Sequence, residues 1–249
     1  MVTKAAVLCG GEGTRLRPLT NYFQKSMVPI GPKRKPLLEY IVRLMAHNGV
    51  AEVVLLTGYK SEEIEEYFDE GVGLGVKITY SKDTDEVKGS AQSLALAVEN
   101  GRLGEFDDLV VYYGDVLSAL DVRALVAKHH AERAAVTLVL TRDYRLPVGV
   151  AHLDGGAVTS FSEKPTLPIN ATTGCLVIAR EALPVLKETT KGGGTDIMTH
   201  FVPMVIERGM KVSPYFLDGF WQDIGTIAAY ERLDPKVVEE NLKFLDPQT

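Results

Sequence analysis

Cysteine is scarce in this chain: Cys9 and Cys175 are the two among 249 residues. Each lies inside an apolar stretch, with no CxxC spacing and no paired framework. A disulfide scaffold and a cysteine zinc site are thereby excluded, and buried thiols in a reducing compartment are expected. Long apolar runs are also missing. None approaches the ~18 residues that a membrane helix needs, and the N-terminal run Ala5–Cys9 is too short for a secretory signal. A cytoplasmic protein with no membrane partner is expected. No repeat period, low-complexity tract or linker divides the sequence, so one domain over residues 1–249 is expected. Hexapeptide repeats are absent near the C-terminus, so no C-terminal β-helix domain is expected.

Acidic residues are missing from one segment. Between Gly13 and Leu38 stand Arg15, Arg17, Lys25, Lys33, Arg34 and Lys35, without an Asp or Glu. The remaining residues carry 21 basic and 33 acidic groups, and the whole chain has a net charge of −6. A nucleic-acid binder spreads positive charge over a face, so no nucleic-acid partner is expected. The segment suits either a small polyanion held near the backbone or an ordinary solvated loop. With 45% hydrophobic and 24% charged residues, the composition otherwise excludes disorder. A chain of this length can bury roughly 70–75% of its unfolded surface.

Strand-like and helix-like runs alternate from the start. Lys4–Cys9 is short, apolar and followed by Gly10-Gly11, as a buried strand entering a loop would be. Residues 36–48 have helical apolar spacing, with Pro36 at the start and Gly49 just past the end. Strands are expected at 52–57, 77–81, 109–113 and 136–141. Helices are expected at 61–69, with Ser61 as cap, and at 90–100 and 121–133. This rhythm predicts an α/β fold, a Rossmann-like and mostly parallel sheet with helices on both faces. Past residue 145 the runs 148–153, 157–163 and 173–179 crowd together around Gly155-Gly156, which predicts a small antiparallel insertion. Helical runs at 181–189 and 197–208, a strand at 212–217 and a helical tail from Ile227, interrupted at Pro235, complete the reading.

The loop after the first strand reads Gly10-Gly11-Glu12-Gly13-Thr14-Arg15-Leu16-Arg17-Pro18. It lacks the GK[ST] of a P-loop, and Leu16 occupies the third glycine place of the dinucleotide fingerprint. It offers backbone amides that a phosphate or a base can approach closely, and Arg15 adds a two-pronged phosphate donor. Open α/β sheets bind ligands at the carboxyl ends of their strands, where this loop lies.

The run Gly10-Gly11-x-Gly13-Thr14-Arg15-Leu16-x-Pro18-x-Thr20, followed by Lys25 and Pro29, resembles the signature of sugar-1-phosphate nucleotidylyltransferases. Gly114-Asp115, Glu163-Lys164-Pro165 and Trp221-x-Asp223-Ile224-Gly225-Thr226 are similar to later segments of that family, in its order. Members join an NTP and a sugar 1-phosphate to give a nucleotide-diphosphate sugar and pyrophosphate. The resemblance implies a fold of the nucleotide-diphospho-sugar transferase type and a Mg²⁺ cofactor held by Asp115 and Asp223. It implies a nucleotide site of Leu8, Gly10, Gly11, Gly13, Thr14, Arg15, Lys25, Glu86 and Gly89. Gly149, Glu163, Lys164 and Thr172 would hold the sugar phosphate, and self-association as a homo-oligomer is also implied. The chain departs from the pattern at Gln24, where the family usually has proline. Its base-reading residues are mixed, since Gln92 resembles thymidylyl-type members and Glu86 guanylyl-type ones.

The chemistry explains why these residue types would be needed. Two phosphates must meet, and like unit charges at ~4 Å repel by about 1 kcal/mol in water and by more in a drier cleft. The protein must cancel charge and hold the line of attack. A sugar phosphate with a second pKa near ~6 is already largely dianionic, so no general base is required. Accordingly Arg15 is assigned to the leaving pyrophosphate and Lys25 to the α-phosphate, with Asp115 and Asp223 completing the catalytic set. His129 and His130 cannot share one helix face and are read as surface or core residues. Two other functions are expectations to be weighed. One is a glycosyltransferase using Asp83-Thr84-Asp85 as a metal-binding DxD; the other is a non-catalytic nucleotide-sugar sensor. Lys191–Thr195 is read either as a flexible cover over the sugar or as a plain connection capped by Thr195 or Asp196.

Overall fold

The structure is a computed structural model that describes residues 2–146 and 148–246. β1 (Thr3–Cys9) leads into the glycine-rich loop, which passes through short 3₁₀ turns to β2 (Pro29–Ile30) and β3 (Lys35–Pro36). Then follow α1 (Leu37–His47), β4 (Glu52–Thr57), α2 (Ser61–Phe68), β5 (Lys77–Lys82), α3 (Ser90–Glu99) and β6 (Asp108–Tyr113). β7 (Val116–Ser118), α4 (Val122–Glu132) and β8 (Val136–Arg145) complete the first part. β9 (Val150–Asp154), β10 (Ala157–Ser162) and the long β11 (Thr166–Ala179) come next, before α5 (Leu183–Lys191) and α6 (Val202–Glu207). The chain ends through β12 (Val212–Phe216), β13 (Trp221–Asp223), α7 (Ile227–Glu231) and α8 (Pro235–Leu242).

Seven strands form the main sheet in the order β12-β8-β11-β6-β1-β4-β5. β11 runs antiparallel to both its neighbours, and the other pairs are parallel. Alternation along β1 shows why helices cover both faces. Ala5, Val7 and Cys9 enter one core with Leu38, Ile41 and Met45 of α1, while Ala6 enters the other with Leu94 of α3 and Val205 of α6. Both cysteines are buried and free, and burial pushes the Cys175 thiol up to about 12. The expected antiparallel insertion is the β9–β10 hairpin, carried by extensions of β8 and β11 beyond the sheet. Among the described residues, no helix is long and apolar enough to cross a membrane.

One local expectation is corrected: Ser61 does not cap α2. Lys60, in the left-handed region, precedes the helix, and among the described residues the buried Ser61 hydroxyl has no partner. His129 and His130 leave α4 in different directions, as expected, His129 buried and His130 partly so, yet both reach one group. Asp108 offers one carboxylate oxygen to each ring: His129 Nε2 lies 3.4 Å from Oδ1, and His130 Nε2 contacts Oδ2. Adjacent residues on a helix diverge, but a carboxylate seated between them has two oxygens to share. His129 Nδ1 also meets Thr137 Oγ1 at 2.8 Å.

Burial by itself lifts the Asp108 carboxyl, but the hydrogen bonds and charge of the two imidazoles outweigh it and hold the group below the ordinary carboxylate value. A depressed native pKa stabilises the fold fully above the unfolded value, and that contribution fades as pH falls through the native value. Asp108→Ala is therefore expected to lower stability at pH 7 by about 3 kcal/mol, read from urea midpoints. The gap to wild type should narrow below pH ~4, where the wild-type carboxylate titrates. Equal midpoints at pH 7 would show that the triad contributes nothing.

Candidate active site

A cleft of about 800 Å³ opens at the carboxyl ends of β1, β4, β5 and β6. Leu8, Gly10 and Gly11 from the end of β1 line it, together with Gly58 after β4, Asp83–Asp85 after β5, Gly89-Ser90 at the start of α3, and Tyr113 and Asp115 at the end of β6. Parallel strands deliver all their carboxyl ends to one edge, which gathers loops remote in sequence. Gly10 and Gly58 lie back to back: a Cβ on Gly58 would fall 2.7 Å from the Gly10 carbonyl oxygen. The two loops can meet only without side chains there.

Gln24 and Lys25 show how the basic segment is held. Gln24 is fully buried. Its side-chain amide donates to the Cys9 carbonyl, its Oε1 accepts from Ser26 N at 2.6 Å, and its own backbone N–H donates to Glu63 Oε2 at 2.7 Å. An amide pins the loop to the end of β1 at the position where the family pattern has proline. Gly13, in the left-handed region, backs the other side. A Cβ there would meet Lys25 Cβ at 2.9 Å, and Thr20 Oγ1 donates to its carbonyl at 2.9 Å. Lys25 is thereby aimed into the cleft, where its ammonium contacts Asp115 Oδ2.

Asp115 and Asp223 are brought together by a two-stranded ribbon that the sequence reading missed. β7 pairs antiparallel with β13, setting Val116 opposite Asp223, and Ile224 N donates to the Asp115 carbonyl at 2.8 Å. Trp221 Nε1 ties the ribbon to the Thr173 carbonyl on β11 at 2.9 Å. Gly225 is the point of convergence. A Cβ there would lie 2.8 Å from Asp223 Oδ1, 3.3 Å from an Arg15 guanidinium nitrogen and 3.6 Å from Asp115 Oδ2. Burial first, and then the Asp115 charge, push the Asp223 carboxyl above its ordinary value; the Gly225 N–H, Lys25 and Arg15 pull it partly back. Two repelling carboxylates invite a cation.

The donor set fits Mg²⁺. Asp223 Oδ1 accepts from Gly225 N at 2.7 Å, which leaves Oδ2 for an ion, and both groups are hard oxygen donors. Among the described residues, no cluster of three His, Cys, Asp or Glu forms a closed metal cage. An ion here would draw its other ligands from phosphate and water, as Mg²⁺ commonly does.

The other assigned residues divide. Gly89 stands at the cleft wall, packed so tightly that a Cβ would fall 2.5 Å from the Thr195 carbonyl oxygen. That carbonyl accepts from Ala91 N at 2.8 Å, and Ser90 Oγ donates to Asp196 Oδ2 at 2.8 Å. Asp196 also accepts from Met198 N and Thr199 N, so residues 191–195 form a capped connection docked on the Gly89 loop. Glu86 is exposed and lines no part of the cleft, and Gln92 braces the loop by accepting from Lys88 N at 2.7 Å. Thr14 is exposed in the turn beside Arg15. Gly149, Glu163 and Lys164 form a separate group on the hairpin side, with Lys164 Nζ 3.6 Å from Glu163 Oε1. They do not line the cleft, and neither does Thr172, exposed on β11. Asp83 and Asp85 do line it; Ser93 Oγ donates to one oxygen of Asp83, and Asp85 is exposed.

Fold and cleft together define an α/β protein in which Lys25 and Asp115 line a cleft at the carboxyl ends of parallel strands, with Arg15 and Asp223 adjoining at Gly225 outside the cleft lining. The chain belongs to the nucleotidyl transferase family, whose sequence pattern matches residues 4–240. It is 30% identical to a Synechocystis UTP–glucose-1-phosphate uridylyltransferase over 96% of this chain and 64% of that protein. It is 34% identical to a Mycobacterium tuberculosis mannose-1-phosphate guanylyltransferase over 89% and 61%. To a Streptomyces antibioticus glucose-1-phosphate thymidylyltransferase it is 30% identical over 95% and 67%. The chain thus spans about two thirds or less of the length of these relatives. A Bacillus anthracis crystal structure provisionally described as a glucose-1-phosphate thymidylyltransferase shares the fold, with a TM-score of 0.74 over 100% of this chain and 97% of that one at 23% identity.

Proposed function

We propose that the protein is a sugar-1-phosphate nucleotidylyltransferase, in which the sugar phosphate attacks the α-phosphorus of an NTP in line with the departing pyrophosphate. The observation that carries this reading is the meeting of Arg15, Asp115 and Asp223 around Gly225, with Lys25 on Asp115. The activities of the relatives support it, since they are a uridylyl-, a guanylyl- and a thymidylyltransferase acting on sugar 1-phosphates.

Each residue has a task that follows from charge. The Gly10-Gly11 amides and the Arg15 fork neutralise the β- and γ-phosphates and so stabilise the leaving group. The Lys25 ammonium, mounted on a pinned loop, meets charge that builds on the α-phosphate oxygens. Mg²⁺ held by Asp115 and Asp223 would supply Lewis-acid neutralisation of the two approaching phosphates. Lys164 cancels charge on the incoming sugar phosphate, and Glu163 accepts sugar hydroxyls. Lys164→Ala is expected to raise the KM for the sugar phosphate by about 10-fold or more with little change in the KM for NTP. An effect confined to NTP would assign Lys164 to the other substrate.

The test of the function is pyrophosphate release with Mg²⁺, each NTP and a panel of sugar 1-phosphates. Release that requires both substrates supports the reading. Transfer of sugar from a nucleotide sugar to an acceptor would replace it with a glycosyltransferase, and binding without turnover would replace it with a sensor.

A further inference from the structure

A second hollow, of about 510 Å³, opens between α3 and the chain entering α5, and it shares no lining residue with the cleft. Helical spacing builds it. Ala95, Val98 and Glu99 stand at i, i+3 and i+4 on one face of α3. Arg180, Leu183 and Lys187 stand at i, i+3 and i+7, where a 3₁₀ turn (Arg180–Ala182) runs into α5. The groove exists because α3 sets a small side chain, Ala95, at this point. Ala95 and Leu186 form a buried floor, while Val98 and Leu183 are only partly covered. Ala95 stands six residues after Gly89, ~9 Å along the helix, so the groove lies behind the cleft wall.

Two cations at the rim have little to hold them. Lys187 is exposed, and among the described residues its ammonium makes no ion pair or hydrogen bond. Arg180 sets Nη1 3.5 Å from the Phe106 carbonyl, a long contact that leaves most of its fork free. The next acidic side chain along α5, Glu188, is engaged with Arg208. Glu99 is the one carboxylate in the lining, so the rim carries 2 − 1 = +1 in a chain of net charge −6.

These features select a class of ligand. A floor of Ala95 and Leu186 side chains offers no hydrogen bond, so a sugar or a nucleobase would leave polar groups unpaired there. An aliphatic or aromatic body gains by leaving water. A charged head at the rim meets Arg180 and Lys187, and a rim charge of +1 suits one negative charge. We propose that the α3–α5 groove is a second ligand site, which takes a small amphipathic monoanion, a carboxylate on an apolar chain or ring. The site does not depend on the reaction proposed above.

Octanoate is the probe, titrated against the full chain at low ionic strength and followed by ligand-observed NMR. It should bind about 10-fold tighter than butyrate, which has the head and little chain. It should bind about 5-fold tighter than octan-1-ol, which has the chain and no charge. Lys187→Glu should weaken octanoate about 5-fold, and Glu99→Gln should tighten it about 3-fold, a gain that misfolding cannot produce. Both positions are exposed, so these variants should keep the fold. Ala95→Leu, which fills the gap, should weaken octanoate by about 10-fold or more. Millimolar UTP, GTP or dTTP with Mg²⁺ should leave octanoate bound. No readout needs turnover, so loss of the transferase reading would leave this one standing. Equal affinity for octanoate and butyrate, indifference to both charge variants, or displacement by an NTP would overturn the proposal. A dimer that octanoate dissociates would place a second copy of the chain in the groove, and would overturn it too.

Discussion

Replacing Asp115 with Asn is expected to lower kcat by ~10²-fold or more, with the fold intact. The substitution keeps shape and removes one charge at a half-buried position beside Asp223 and Lys25. In the proposed mechanism NTP binding falls to Arg15 and the glycine amides, so KM should move little. The lost carboxylate is a lost oxygen donor, and the Mg²⁺ concentration for half-maximal rate should rise. Relief of the Asp115 charge should also let the Asp223 carboxyl fall toward its ordinary value, because that charge is one of the causes lifting it. Wild-type turnover at unchanged Mg²⁺ dependence would remove Asp115 from the proposed mechanism. Chelation with EDTA should abolish pyrophosphate release in wild type and be reversed by Mg²⁺.

Lys25→Met is expected to lower kcat by about 10²–10³-fold, the loss seen when one preorganised stabiliser of transition-state charge is removed. Methionine preserves length and the apolar stem, and Gln24 still pins the loop to β1. The effect on metal dependence should be opposite to that of Asp115→Asn. The ammonium occupies Asp115 Oδ2, so its removal frees an oxygen and should lower the half-saturating Mg²⁺. Parallel Mg²⁺ titrations of the two variants separate the roles: shifts in the same direction would show that Lys25 does not compete for the carboxylate. Lys25→Arg should recover part of the rate, since charge returns with a bulkier, planar donor.

Much of the scaffold was legible in the sequence because its signals are local. Apolar runs bounded by glycine and proline marked β1, β4, β5 and β6 to within a residue, and apolar spacing marked α1, α3 and α4. The glycine loop was legible in the sequence, and Arg15, Lys25, Asp115 and Asp223 stood out through their resemblance to the family's motifs. Two-residue and three-residue ribbons were not. β7 and β13 have too few residues to show a period, and they pair across about a hundred positions. Gln24 stood out as a departure, but its work is done by buried hydrogen bonds to Cys9, Ser26 and Glu63 that no spacing encodes. Ser61 fitted a capping rule that Lys60 displaced through its left-handed backbone. Asp83 was noticed as one letter of a DxD, and its place beside Gly10 was not legible.

The sequence by itself determined the order of strands and helices and the family, because periodicity, turn residues and motif spacing act over short stretches of chain. Only the tertiary structure decided which charged residues meet. Asp115 and Asp223 lie side by side because the β7–β13 ribbon closes across the sheet, and Asp83 reaches Gly10 because the ends of parallel strands share one edge. Glu163 and Lys164 stand apart on the hairpin for the same reason: contacts between distant segments are set by which surfaces bury one another, and that is a property of the packed chain.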